Sequence, residues 1–187
     1  IPTDDTITYP TDWSGVDFDA SDSGVGLDSW GINDTDFYIN SSGYIDDNPT
    51  LSAGTYNINV SVNDTSGKTN STTYTLTVDK ATPSLSLSNT NSTYPTNITA
   101  DGSETNNGDG DLTYNLYLDG TLKDSGSSVS LDENLAVGKY TIEYNTTGGQ
   151  NYTSNTITQT AEVTKGTLSG SVTANDVTYP TNISASS

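Results

Sequence analysis

Cysteine, histidine and methionine are absent from this chain, and its five basic residues are all lysine. Without cysteine no disulfide braces the fold, and an oxidising compartment is neither required nor excluded. Without histidine the usual general base and the commonest transition-metal ligand are missing, so Ser-His-Asp and Cys-His arrangements are excluded. No glycine-rich phosphate cradle follows a strand, and no carboxylate pair of the glycosidase kind stands out among so many acids. A non-catalytic protein is therefore expected. Positive charge is scarce: 24 acidic residues against five basic ones give a net charge of −19, which repels nucleic acid and anionic lipid as partners. A soluble, self-repelling surface is the simplest reading of that charge, and adaptation to high salt or divalent cations the sharper one. Long apolar runs are missing too, so neither a membrane span nor a signal peptide is read here. The chain starts in mid-pattern, which leaves room for a targeting segment upstream of Ile1.

Only 30% of the residues are hydrophobic, a composition that taken alone leans toward disorder. Regular alternation and 12 tyrosines argue otherwise, because Tyr, Thr and Val favour strands. The chain reads as narrow sandwiches with one wetted face per sheet.

Organisation comes from repetition. Tyr9-Pro10-Thr11, Tyr94-Pro95-Thr96 and Tyr179-Pro180-Thr181 stand 85 residues apart, and 93–100 (TYPTNITA) returns as 178–185 (TYPTNISA). A period of this size indicates tandem domains of immunoglobulin type. The predicted division is 1–80, 81–165, and an incomplete third repeat from 166 to 187. A second repeated motif runs Leu-x-x-Gly-x-Tyr, at Leu51 to Tyr56 and again at Leu135 to Tyr140. It looks like a tyrosine corner, in which Gly permits a sharp turn and the hydroxyls of Tyr56 and Tyr140 bond backbone a few residues upstream. Beyond it Tyr56, Ile58, Val60 and Val62 alternate with polar residues, as do Tyr140, Ile142 and Tyr144.

The other expected strands of the first repeat are 6–9, 16–20, a segment at Trp30, 37–39, and 69–79, the last joined to the corner strand through the turn formers of 63–67. The second repeat offers 84–88, 97–101, 112–119, 121–123, 127–131, 139–145 and 151–164. Leu112, Tyr114, Leu116 and Leu118 make one inward stripe, and Asp119-Gly120 signals a two-residue hairpin. The linker Lys80-Ala81-Thr82-Pro83, echoed at Lys165, is short and proline-bearing, so a stiff joint is expected. The tail, with Leu168, Val172 and Val177 as its apolar positions, matches only the first two strands of a repeat and is not stable alone. Either the chain continues past Ser187 or another molecule supplies the missing strands.

Asn-x-Ser/Thr triplets, acceptors for N-linked glycans, occur at Asn33, Asn40, Asn59, Asn63, Asn70, Asn91, Asn97, Asn145, Asn151 and Asn182; Asn48 fails because Pro49 follows. A chain rich in Asn, Ser and Thr generates some of these by chance. The outward placement expected for Asn59 and Asn145, and the equivalence of Asn97 and Asn182, favour glycosylation of some, hence display outside the cell. Aspartates at 17, 19, 22 and 28, at 34 and 36, at 46 and 47, and at 109 and 111 admit Ca²⁺ coordination, with solvated turns the simpler reading. Trp30 reads as the core tryptophan of a sandwich. Trp13, beside the first Tyr-Pro-Thr, reads as packing at a domain joint or, more sharply, as a sugar-stacking platform. The five lysines read as loop, linker or outward positions, which disfavours an internal Lys to Asn crosslink.

Residues 51–78, and the run Tyr144-Asn-Thr-Thr-Gly-Gly-Gln-Asn-Tyr-Thr153 followed by the Lys165 linker, resemble the tandem immunoglobulin-like and cadherin-like repeats of archaeal cell-surface proteins. The resemblance implies an extracellular, glycosylated repeat array serving as a stalk, adhesin or filament, with copies of itself or other surface proteins as partners and no cofactor. Cadherin calcium motifs are not matched at 79–83. A carbohydrate-binding or adhesion module is the alternative.

Overall fold

The computed structural model describes residues 2–48, 50–105, 110–174, 176, 178–179 and 185–186. They are all-β. The first sandwich is built from β1 (Asp5–Thr8), β2 (Val16–Asp17), β3 (Leu27–Ile32), β4 (Phe37–Ile39), β5 (Tyr44–Asp47), β6 (Gly54–Asp64) and β7 (Thr69–Asp79). One sheet has the order β1-β7-β6-β3 and the facing one β2-β5-β4. The second sandwich follows with β8 (Leu85–Asn89), β9 (Ser92–Thr93), β10 (Ile98–Glu104), β11 (Tyr114–Leu118), β12 (Thr121–Gly126), β13 (Val129–Glu133), β14 (Gly138–Thr146) and β15 (Asn155–Thr164). Its sheets run β13-β10-β8 and β12-β11-β14-β15-β9. Two short strands, β16 (Thr173–Ala174) and β17 (Ala185–Ser186), pair antiparallel in the tail.

The first two Tyr-Pro-Thr motifs each mark the end of a short strand that runs parallel to the last strand of its sandwich. Thr8 pairs with Asp79 in the first and Thr93 with Thr164 in the second. The next amide repeats the match, since Tyr9 N–H donates to Asp79 O at 3.0 Å and Tyr94 N–H to Thr164 O at 2.9 Å. Proline is accommodated here because the chain leaves the ladder at that residue.

The long hairpins carry the pattern read from sequence. In β6, Ile58 and Val60 are buried while Asn57 and Asn59 are exposed, and in β7 Tyr74, Leu76 and Val78 are buried. Leu112, Tyr114, Leu116 and Leu118 all face the second core. Asp119 and Gly120 both adopt positive φ, 47° and 77°, as a tight hairpin turn of twisted strands requires. The corner tyrosines each donate to the carbonyl four residues upstream, Tyr56 Oη to Ser52 O and Tyr140 Oη to Ala136 O, both at 2.8 Å. Neither Gly54 nor Gly138 adopts a left-handed backbone, so the hydroxyl anchor, rather than glycine, shapes the turn.

Several expectations are corrected. The strand Tyr44–Asp47 is not among the expected ones, because its Tyr-Ile-Asp-Asp run is too short and acidic to show alternation; Ile45 is nevertheless fully buried. Residues 151–154 belong to a loop rather than to the last strand, and β2 ends at Asp17. The core tryptophan is Trp13 rather than Trp30. Trp13 is 3% exposed and packs against Phe37 and Tyr74, each with ring centroids 5.8 Å apart, while its indole N–H donates to Asp5 at 3.2 Å. Trp30 is only half-buried because β3 is the edge strand of its sheet. The segment between β1 and β2 crosses from one sheet to the other and carries Trp13 into the core, which period-two reasoning cannot foresee. Leu168 and Val172 are 96% and 78% exposed, and Val177 lies outside the described residues.

Two tyrosines are the largest fully buried side chains, Tyr74 in the first core and Tyr144 in the second. The Tyr144 ring lies across Gly102 of the facing sheet, so close that a Cβ there would come within 2.6 Å of it. Burial pushes both phenols up to about 12 from an ordinary 10, since desolvation disfavours tyrosinate. A raised folded pKa means the contribution is complete below pH 10 and lost as pH climbs towards 12. Alkaline titration followed by tyrosinate absorbance and circular dichroism should therefore show these two ionising only as strand signal disappears; ionisation with the strands intact would contradict the burial. Tyr114 Oη, in contrast, is buried without a hydrogen-bond partner among the described residues. Such a hydroxyl costs stability, so Tyr114→Phe should raise the second sandwich's unfolding free energy by about 1 kcal/mol, as measured by denaturant titration.

Candidate functional site

The residues that join the two sandwiches form the most elaborate polar site in the described chain. Its centre is the tongue 147–154 between β14 and β15, where the first sandwich has only the four-residue turn 65–68 between β6 and β7. That short turn closes on itself: the Asp64 carboxylate accepts the N–H groups of Ser66 and Lys68 at 2.8 and 2.9 Å. These bonds, led by that from the Ser66 hydroxyl, hold the acid below its usual range.

The tongue folds on two glycines and one acid. Gly148 has φ +81°, and a Cβ there would meet the backbone of Tyr152 and Thr153 at 2.6 Å; one on Gly149 would strike the Asp111 carboxylate at 2.5 Å. Asp111 in turn accepts the Gln150 N–H at 2.8 Å, and Gly149 N–H donates to Tyr152 O at 3.1 Å. So braced, the tongue reaches the first sandwich. Asn151 Oδ1 accepts the Ala53 N–H at 2.7 Å, a buried bond, and Gln150 Nε2 donates to Ala53 O at 2.9 Å. One residue just before the corner strand thus has both backbone groups met by adjacent side chains. Lys80 Nζ donates to Gly149 O at 2.7 Å.

The linker is clamped by the same loop. Ala81 N–H donates to Asn151 O at 2.9 Å and Thr153 N–H to Ala81 O at 2.8 Å, a parallel bridge between Ala81 and Tyr152. Above it, Tyr9 and Tyr152 pack edge to face with centroids 5.6 Å apart and planes at 79°. Tyr9 touches both hydrophobic cores. The expectation of a stiff joint rests on a short linker and Pro83; the greater restraint is this set of bonds.

The sequon asparagines fall into groups by which amide atom is engaged. Asn33, Asn40, Asn70 and Asn91 are exposed and accept through Oδ1, from Asn59 N–H, from Ser42 and Tyr44 N–H, from Ser71 N–H and from Glu162 N–H respectively. In all four the engaged amide atom is Oδ1, not Nδ2, the atom a glycan would take. Asn59 is exposed in β6. In Asn63, Asn97 and Asn145 the Nδ2 is itself a donor, to Ser29, Asp132 and Glu143. Asn151 is 8% exposed and committed to Ala53, so a glycan there is incompatible with the joint. Asn182 lies outside the described residues.

The remaining candidates are simpler. Asp22 accepts the N–H groups of Val25 and Gly26, each at 2.7 Å, and those backbone bonds, Gly26's first, hold its pKa low. Asp34 caps Asp36 N–H. Asp46 accepts from the Tyr38 hydroxyl at 3.2 Å. Among the described residues no three carboxylates converge on a metal-sized site; Asp109 is outside them. A sugar platform on Trp13 is ruled out by its burial. A groove does run beside Trp30, floored by Phe18, Val60 and Val62 and rimmed by Asp22 and Asp64.

The joint is testable by one truncation. Asn151→Ala leaves the Ala53 N–H buried without an acceptor, at about 1–3 kcal/mol, so amide exchange at Ala53 should accelerate about tenfold or more. Protection in the middle of β6 and β7 should stay unchanged. Equal protection of Ala53 in both proteins would show that the tongue does not restrain the joint.

No family model matches the chain, nor does any curated protein. Among solved structures it is similar to the fibronectin(III)-like modules of Clostridium thermocellum CbhA, at 15% identity over 87% of this chain and 90% of that one, with a TM-score of 0.35. It is similar also to protocadherin gamma B2 extracellular cadherin domains 3–6, at 14% identity, 86% and 46% coverage and a TM-score of 0.39. A third is SGBP-B of the Bacteroides ovatus mixed-linkage glucan utilization locus, in complex with a mixed-linkage heptasaccharide, at 13% identity, 92% and 67% coverage and a TM-score of 0.32. The chain spans less than half of the protocadherin chain. The immunoglobulin-like assignment itself follows from the strand order and facing sheets of the two sandwiches.

Proposed function

We propose that this chain is a non-catalytic structural segment of an extracellular, N-glycosylated cell-surface protein, a stalk or filament in which sandwiches set length and stiffness. The observation that carries this reading is the interlocked joint. A catalytic or ligand-binding pair of domains gains from a cleft between them, whereas here the contact is filled by Gln150, Asn151 and Tyr152 against Ala53 and Tyr9. The exposed faces carry sequon asparagines and carboxylates, with two ion pairs among the described residues, Lys123 with Glu133 and Lys139 with Glu162. Such a surface is hydrated and self-repelling, suited to a stalk standing off other surfaces and unsuited to nucleic acid. Its partners are covalent glycans and further copies or other surface proteins, with strand sharing between chains as the route to a polymer.

Peptide mapping by mass spectrometry of the protein recovered from its own cells tests the reading. Glycans are expected at Asn33, Asn40, Asn59, Asn70 and Asn91, which are exposed, and none at Asn151. Unmodified peptides at every sequon would overturn the surface-glycoprotein assignment, and glycosylated Asn151 would show that the joint does not form in the native protein.

A further inference from the structure

The surface that the tongue grips on the first sandwich exists a second time, at the far end of the second sandwich. The registers superpose. Thr8 opposite Asp79 and Gly54 opposite Val78 in the first unit become Thr93 opposite Thr164 and Gly138 opposite Val163 in the second. Tyr9, Ala53 and Lys80 are therefore matched by Tyr94, Val137 and Lys165. In the first unit the tyrosine is stacked and the corner residue is buried, Ala53 being 9% exposed. In the second, Tyr94 is 50% and Val137 46% exposed, although each adjoins the end of a formed strand. Both flank the end of β15, where Tyr94 N–H meets Thr164 O and Gly138 pairs with Val163, and an exposed aromatic and branched aliphatic at one strand end of so polar a chain mark an interaction surface.

We propose that this far end is the socket for the tongue of a third sandwich of the same type, entered through the linker Lys165-Gly166-Thr167. The occupant is identified by chemistry already seen once in the molecule. An Asn side chain accepts the corner amide, a Gln amide donates to the corner carbonyl, a Tyr ring stacks edge to face on the Tyr-Pro-Thr tyrosine, and a glycine carbonyl takes the linker lysine. At the second socket those groups would meet Val137 N–H, Val137 O, Tyr94 and Lys165. A second copy's first sandwich does not fit this role, because its β6–β7 connection is a short self-capped turn with no Gln, Asn or Tyr. The tail sequence agrees with the assignment. From Thr167 it repeats the opening strands of the second sandwich, with Leu168, Val172 and Tyr179 at the places of Pro83, Leu87 and Tyr94.

The socket deepens the stalk reading and rests on it, but its test is separate. Residues 1–186 are followed by a second copy of Gly102–Lys165, so that a complete third sandwich grows on the native tail; Gly102 replaces Ser187 because the Tyr144 ring of the new unit leaves no room for a Cβ. A companion protein carries the short turn Thr65–Lys68 in place of the new tongue. Both, and the 187-residue protein, are treated with tetranitromethane and the nitration of Tyr94 is read by peptide mass spectrometry. Expected is a fall in Tyr94 labelling on the order of tenfold with the tongue present, and labelling as in the 187-residue protein with the short turn. Tyr94 equally reactive in both extended proteins, whether the third sandwich forms without seating or does not form, overturns the proposal. So does equal protection in both, which would assign the cover to something other than the tongue. An open Tyr94 together with glycosylated sequons would leave the stalk reading standing without this socket, whereas unmodified sequons with a protected Tyr94 would do the reverse.

Discussion

The arrangement of this protein depends on one buried donor. Where two sandwiches meet, the Ala53 N–H is removed from water, and a buried backbone donor without an acceptor costs more than most single contacts return. Asn151 Oδ1 meets it at 2.7 Å, and once that bond is made, Gln150 and Tyr152 have little choice of place. The carbonyl of the same alanine takes Gln150, and the Tyr152 ring comes to rest on Tyr9. A polar contact of this kind suits a protein whose composition leaves little apolar surface to spare. It defines an orientation, where an apolar seam of equal area would tolerate several.

The two cores solve a scarcity of aliphatic residues differently. In the first, aromatic rings fill the space between narrow sheets, with Phe18, Tyr74, Trp13, Phe37 and Tyr56 linked in that order by edge-to-face and tilted contacts at 5.6 to 5.9 Å. In the second, leucine, isoleucine and valine surround a tilted Tyr114–Tyr144 pair. Large rings bury much area from few positions, which is how a chain with 30% hydrophobic residues sustains two sandwiches without disulfides. The tyrosine corners serve both units alike, since each hydroxyl, carried by the sixth or fourteenth strand, donates to a carbonyl of the loop before that strand. In the first unit that loop carries Ala53, so the corner that organises the sandwich also presents the residue its neighbour grips.

What was legible in the amino-acid sequence was whatever depends on neighbours along the chain. The period of Tyr-Pro-Thr is repetition visible in the chain itself, and the inward stripes of the long hairpins, the Asp119-Gly120 turn and the corner tyrosines follow from backbone geometry acting over a few residues, so alternation and spacing sufficed to place them. Trp13 and Trp30 could not be ranked that way: one sits in a segment that crosses between sheets and the other on an edge strand, and both facts concern strand order, which local pattern does not contain. An asparagine can serve as a sequon or as a hydrogen-bond acceptor, and Asn151 was legible only as the first. Only the approach of Ala53, 98 positions earlier in the chain, decides between them, because burial is a property of the assembled pair of sandwiches and not of the triplet Asn-Tyr-Thr.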